Sequence, residues 1–206
     1  MIELNQTLFL FLNASAQPSV WLVNWVAALA SSPVVIAPLL LVALWVWGKP
    51  SRRGALIAIA GAVITAQGVN LALGLLWFDP RPFMVPLGHT LVTHVADNGF
   101  PSDHATLVWT LGVGLWLTGA APRWGAVTCL YGVTVAWSRI WLGVHFPEDM
   151  AMSALVGAVM GLGARAATPV VNWTLLPFAD RLYEKTIAAA HLPENLVPRR
   201  QLNFKA

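Results

Sequence analysis

The sequence predicts an all-α protein, a bundle of six membrane-spanning helices forming a single integral domain over residues 1–206. Three observations predict it. Hydrophobic residues make up 57 % of the chain and charged residues only 10 %, far fewer than the ~25 % a soluble domain carries. Apolar stretches of near-span length recur, and a bilayer core takes about 20 such residues per helix. There are 11 tryptophans, and indole rings favour the membrane–water boundary.

The spans are read in order. The first runs from about Val20 to Ala30, the second from Val34 to Trp47 and the third from Ala55 to Trp77. The fourth covers His104 to Leu117, the fifth Trp124 to Leu142 and the sixth Asp149 to Val170. Residues 1–14 either begin the first span or form an interfacial helix with Glu3, Asn5 and Gln6 toward water. Because Glu3 stands where a signal peptide would be basic, no cleavable leader is expected. Residues from about 175 to 206 form a C-terminal tail.

Charge sets the orientation. Lys49, Arg52 and Arg53 lie between spans two and three, and Arg123 lies between spans four and five. Arg181, Lys185, Arg199, Arg200 and Lys205 follow span six. Six crossings put all of these on one side, which the positive-inside rule makes cytoplasmic along with both termini. The expected location is a bacterial inner (plasma) membrane, with loop 78–103 and turn 143–148 facing the periplasm or exterior. The net charge of +3 is scattered over short loops and the tail, so no nucleic-acid partner is expected. The lone Cys129 leaves no intramolecular disulfide and no paired-cysteine metal motif.

The outer end gathers the ionisable groups, and such groups at membrane depth are costly enough to mark function. Three stretches meet there. Asp79-Pro80-Arg81-Pro82 stops span three and stiffens the chain around Arg81. Pro101-Ser102-Asp103-His104 opens span four; free N–H groups at a helix start form an anion site, with Ser102 or Asp103 also available as an ordinary cap. Ser138-Arg139 closes span five, followed by His145 in a short turn and Asp149 four residues later, with Pro147 near the first helical position. That spacing lets the Asp149 carboxylate hold one imidazole nitrogen and leave the other free. A pair that merely caps the helix is the alternative reading. Guanidiniums and backbone N–H groups suit the charge on a transferred phosphoryl group. One histidine can attack phosphorus while another protonates the leaving oxygen.

Taken together, Arg81-Pro82, Pro101 to His104, and Ser138-Arg139 with His145 and Asp149 resemble the three motifs of the type 2 phosphatidic acid phosphatase superfamily. The motifs span about residues 74–150, and the third is highly specific. The resemblance implies that His145 is the nucleophile, Asp149 its partner and His104 the general acid. It implies that Arg81, Ser102 and Arg139 bind phosphate, and that no cofactor or metal is needed. Asp103, Ser138, His94 and Asp97 are possible supporting residues, and His89, His94 and Asp97 form a candidate lid.

The chain departs from the family in two places. Gly74 stands where the family has a lysine seven residues before the arginine, and Asp103 stands where it usually has glycine. These features, with Asp97-Asn98-Gly99-Phe100 and Trp137-Ser138-Arg139, look like bacterial undecaprenyl-diphosphate phosphatases. The implied partners are a lipid-linked phosphate substrate and membrane lipids, with no obligate protein partner. Other lipid phosphates, and transfer of phosphate to a lipid acceptor, remain open alternatives. Two rival classes are a metal-dependent hydrolase, for which the chain lacks a compact ligand motif, and a transporter, for which only Gln67 and Asn70 stand near mid-span. Gly157 and Gly161 allow a close helix approach, expected within the bundle.

Overall fold

The computed structural model describes residues 2–190, and every regular element in them is helical. The helices are α1 (Ile2–Leu12), α2 (Val20–Ser31), α3 (Pro33–Trp47), α4 (Arg53–Leu76), α5 (Asp103–Leu117), α6 (Pro122–Trp141), α7 (Pro147–Thr174) and α8 (Leu176–Ala189). Arg199, Arg200 and Lys205 lie outside the described residues.

The surface is inverted relative to a soluble protein. Leu71, Leu75, Leu76, Leu130 and Trp173 are exposed, while Asn70, Thr106, Thr110, Thr128 and Ser153 are buried. Lipid is the solvent that tolerates this arrangement, and inside the bundle the hydroxyls bond to backbone, as Thr110 does to the Thr106 carbonyl at 2.8 Å. The segments Pro50–Leu76 and Pro147–Thr174 are each long and apolar enough to cross a membrane.

α5 is the central helix, flanked by α4, α6 and α7. Small residues set its distance from α7. A side chain at Gly161 would meet Val113 Cγ1 at 2.7 Å, and one at Gly157 would strike Trp109. The GxxxG pair therefore packs inside the bundle, as expected.

The count of six crossings is not reproduced. The first two expected spans are α2 and α3, which meet at a 49° bend. Pro33 has no N–H to continue the ladder, and the Ser32 hydroxyl is bonded to the Leu29 carbonyl and to the Tyr131 hydroxyl. α2 packs on Leu91, Leu142 and Val144 beside the candidate site. α3 ends at the opposite pole, among Ala55, Ala120 and Ala121. The pair thus runs from one end of the bundle to the other, and together the two helices are long and apolar enough for one broken span. At ~1.5 Å per residue its two halves are long enough for that.

α1 does not run through the bundle. Near its start, Asn5 Oδ1 accepts from the Glu148 N–H at 3.1 Å. In its middle, Phe9 is fully buried with its ring 5.2 Å from that of Phe146. Just past its end, Asn13 Oδ1 accepts from the His89 N–H at 2.7 Å while Nδ2 donates to the Trp141 carbonyl at 3.1 Å. Both ends of α1 therefore lie at the site's end, and the helix lies across it. The interfacial alternative for residues 1–14 fits this arrangement. α1 and α8 sit at opposite ends of the bundle.

Arg53, expected between spans two and three, is buried as the first residue of α4. It pairs with Asp180 Oδ1 at 3.0 Å and lies over the rings of Trp45 (5.0 Å) and Tyr183 (4.3 Å). This cluster fastens α8 to α3 and α4. Removing one partner of a buried ion pair costs about 3–5 kcal/mol. Arg53→Ala is therefore expected to lower the unfolding temperature in detergent clearly, whereas Arg123→Ala, at an exposed position, leaves it nearly unchanged.

Candidate active site

Three chain segments converge on one imidazole. His145 lies in the turn between α6 and α7 and is 1 % exposed. The turn is made by Gly143 at φ +78°, where a side chain would run into the His89 carbonyl. Pro147 is the first residue of α7, and Asp149 falls in its first turn. Asp149 Oδ2 takes the Phe146 N–H at 2.8 Å and stands 3.1 Å from His145 Nδ1. The capping and histidine-holding roles are therefore performed by the same oxygen.

The other nitrogen fixes the tautomer. His145 Nε2 lies 2.9 Å from Arg81 Nη1 and 3.2 Å from Arg139 Nη2. Guanidiniums only donate, so Nε2 carries the lone pair and the proton sits on Nδ1, donated to Asp149. Burial, followed by the charges of Arg139 and Arg81, holds the His145 pKa well below its ordinary 6.5. The ring is thus neutral at neutral pH. Its unprotonated nitrogen faces two cations.

Arg81 is held from several sides. Its Nε donates to Asp97 Oδ1 at 2.8 Å, Nη1 to the Val144 carbonyl at 3.0 Å and Nη2 to the Asn98 carbonyl at 3.1 Å. Both Arg81 and Arg139 are 6 % exposed. Two buried donors among the site residues lack a protein partner, namely Arg139 Nε and the Ser102 hydroxyl. Such orphans are rare in folded proteins and call for an acceptor. A phosphate, with oxygens on all sides, supplies one. Ser102 itself is placed by Ser153, whose hydroxyl accepts the Ser102 N–H at 2.9 Å and donates to the Asp149 carbonyl at 2.7 Å.

His104 is the second residue of α5 and half-buried; the charges around it are Arg139, Asp103, His94 and Arg81. Asp103 is turned toward α4, where its Oδ1 accepts from Asn70 Nδ2 at 2.9 Å. Ser138 is buried, and its hydroxyl donates to the Val135 carbonyl at 2.7 Å. The expected lid residues are individually tethered: His89 through its backbone to Asn13, His94 Nδ1 to the Val95 carbonyl at 3.1 Å, and Asp97 to Arg81. Among the described residues no three His, Cys, Asp or Glu side chains gather as a metal-ligand set.

Sequence reasoning missed Asn13 and Ser153, took Asn70 only as a polar group near mid-span, and took Asn98 only as part of a family-like run. Each is a lone polar residue whose importance depends on what the fold brings opposite it. Beside the site, Gln67, Asn70, Gly74, Asp97, Asn98 and Asp103 line a groove of about 340 Å³.

Comparison with known proteins agrees with this geometry. Residues 55–173 match the PAP2 superfamily. The chain is 35 % identical, over 80 % of its length and 83 % of the relative's, to YbjG of Escherichia coli, provisionally named an undecaprenyl-diphosphatase. It is 31 % identical, over 75 % of its length and 78 % of the relative's, to the undecaprenyl-diphosphatase BcrC of Bacillus subtilis. The crystal structure of Aquifex aeolicus LpxE superposes with a TM-score of 0.64 at 26 % identity, covering 78 % of this chain and 94 % of that one. The three motifs, the helical bundle that gathers them and these matches have one reading: the chain belongs to the PAP2 superfamily.

Proposed function

We propose that this protein is a membrane-embedded lipid phosphatase that hydrolyses undecaprenyl diphosphate to undecaprenyl phosphate and inorganic phosphate. The observation that carries the reading is the neutral His145, its lone pair on Nε2 facing Arg81 and Arg139 and its Nδ1 held by Asp149. The relatives named as undecaprenyl-diphosphatases supply the substrate.

The chemistry follows from those atoms. The terminal phosphoryl group enters between the guanidiniums, its oxygens taking the donors of Arg81, Arg139 and Ser102. His145 Nε2 forms a bond to phosphorus as the bond to the bridging oxygen breaks, and the leaving lipid phosphate takes a proton from His104. The Asp149 carboxylate offsets the charge that develops on the imidazole. Water then gives a proton to His104 and attacks phosphorus. The P–N bond breaks, phosphate leaves, and His145 recovers its neutral form.

The assay is phosphate release by purified protein from lipid monophosphates and diphosphates with a chelator present. Activity on the lipid diphosphate is expected to survive the chelator, and its loss would overturn the metal-free reading. His104→Ala is expected to impair a poor leaving group at least ~10²-fold more than an activated aryl phosphate, because a general acid matters most when the leaving oxygen is basic. Equal losses on both would remove His104 from that role.

In the membrane, the end bearing Lys49, Arg52, Arg123, Arg181 and Lys185 faces the cytoplasm and the site faces outward. α1 then rests in the outer leaflet's interface. Its exposed Leu4, Leu8, Leu10 and Phe11 point to lipid, and the chain crosses five times. With Cys129 replaced, cysteines at Ser15 and His89 are expected to react with an impermeant reagent in intact cells. Labelling at Ser15 only after permeabilisation would restore the six-crossing arrangement.

A further inference from the structure

Asn98 is used more completely than any role in the chemistry requires. Its Nδ2 donates to the Gly74 carbonyl at 2.7 Å and to the Trp77 carbonyl at 2.8 Å. Its Oδ1 accepts from the Asp79 N–H at 3.0 Å and the Phe100 N–H at 3.1 Å. Both donors and both lone pairs of the amide are thereby satisfied, and a flipped amide would put like against like at every contact. Its own carbonyl takes Arg81 Nη2 at 3.1 Å, and the next residue, Gly99, donates to the Asp79 carbonyl at 2.9 Å.

These bonds join three things. Gly74 and Trp77 supply carbonyls at the end of α4 that have no partner within the helix. Asp79 begins the turn that presents Arg81. Residues 97–100 lead into Ser102. A single amide thus sets the distance between the end of α4, the phosphate-binding arginine and the second motif.

Gly74 completes the arrangement. A Cβ at position 74 would lie 3.1 Å from Asn98 Nδ2 and 3.6 Å from the Phe100 carbonyl. The amide seats there because residue 74 has no side chain. Where the family has a lysine, this chain has an absent side chain and an asparagine filling the space from across the loop.

We propose that Asn98, seated on Gly74, is a positioning residue of the reaction that acts through Arg81. It touches no reacting atom. It holds the guanidinium in the orientation that meets both His145 Nε2 and the incoming phosphate. The proposal rests on the phosphatase reading above.

A double-mutant comparison tests it. Asn98→Ala is expected to lower kcat/KM about 30-fold and to weaken inhibition by orthovanadate about tenfold, these values being order-of-magnitude expectations for a displaced phosphate ligand. In an Arg81→Lys background, where there is no fork left to orient, the same change should cost less than about threefold. A full 30-fold loss in that background would mean that Asn98 merely supports the fold, and the proposal would fall. Wild-type values in a folded Asn98→Ala protein would overturn it equally.

If Asn98→Ala does not fold, Gly74→Ala takes its place, because its methyl group presses on the amide and leaves the helix intact. It should lose roughly three- to tenfold and show the same dependence on Arg81; a silent Gly74→Ala would overturn the proposal. Protection by orthovanadate against thermal unfolding is read in parallel, since it needs no turnover. A wild-type protein that cleaves no lipid phosphate, but whose orthovanadate protection is lost in Asn98→Ala, would sink the phosphatase reading and leave only the hold of Asn98 on the anion site through Arg81.

Discussion

His145→Ala is expected to abolish turnover, with kcat falling by at least ~10⁴-fold, because among the described residues no other side chain presents a lone pair between the two guanidiniums. The fold should persist. Asp149 keeps the Phe146 N–H, and Arg81 keeps Asp97, Val144 and Asn98 as acceptors. His145→Gln offers the guanidiniums an acceptor but no stable route to a phosphorylated intermediate, so it should be equally inactive. Asp149→Asn is less severe, at about 10²-fold, because the ring remains but its tautomer and developing charge are no longer supported. Wild-type rates in either His145 variant would falsify the nucleophile assignment, and a silent Asp149→Asn would end the pairing argument. Acid-labile phosphate bound to the wild-type chain and missing from the His145 variants is the direct check.

The same burial has a pH consequence. The folded His145 refuses the proton that an unfolded histidine accepts below about 6.5. Below that value the unfolded chain therefore binds more protons than the folded one, and the contribution of this group to stability falls as pH falls. Above it the contribution is constant. Any decline in unfolding temperature between pH 7.5 and 5 should be smaller for His145→Gln than for the wild type. Nitrogen-labelled histidine spectra at pH 6 should show the His145 ring still neutral with its proton on Nδ1.

The sequence made the gathering of the polar residues legible and the path of the chain only partly so. His145 and Asp149 are four apart at a helix start, and Arg139 is six residues before, so local geometry nearly determines their meeting. Arg81 and Ser102 come from far along the chain, but each is pinned by prolines at the end of an apolar run. The bend at Ser32-Pro33 was harder to read, since an apolar run broken by a proline looks like two spans as readily as one. α1 is equally ambiguous by composition: its place is set by Phe9 on Phe146 and by Asn5 and Asn13 on distant backbone, contacts that no periodicity reveals. Asp103 is expected as a supporting residue, yet Asn70 on α4 draws it aside. Ser138 sits inside the most specific motif but is consumed by its own helix. Polar residues were recognisable as a set; which of them face the phosphate depends on partners a turn or a helix away.

The two arginines should prove unequal. Each can offer a phosphate a planar fork that lysine cannot reproduce, so Arg81→Lys and Arg139→Lys are each expected to cost at least about tenfold in kcat/KM, or ~1.4 kcal/mol. Arg81 has more to lose. Its guanidinium also braces the Val144 carbonyl beside His145 and the Asn98 carbonyl, and it balances Asp97. A lysine ammonium cannot span those acceptors and also reach His145, so Arg81→Lys should fall nearer ~10²-fold. Arg139 meets His145 through one nitrogen and has an unpartnered Nε in the folded protein. Its loss should therefore appear chiefly as weaker binding of phosphate and orthovanadate. Gly74→Lys is not expected to repair either variant. The new side chain would start 3.1 Å from Asn98 Nδ2 and would have to dislodge that amide before its charge could approach the phosphate. Kinetic constants for the two lysine variants, each with and without Gly74→Lys, separate the possibilities. Near-wild-type values for both arginine variants would mean that phosphate is held by other groups, and recovery of activity by Gly74→Lys would mean that the seat beneath Asn98 still accepts a cation.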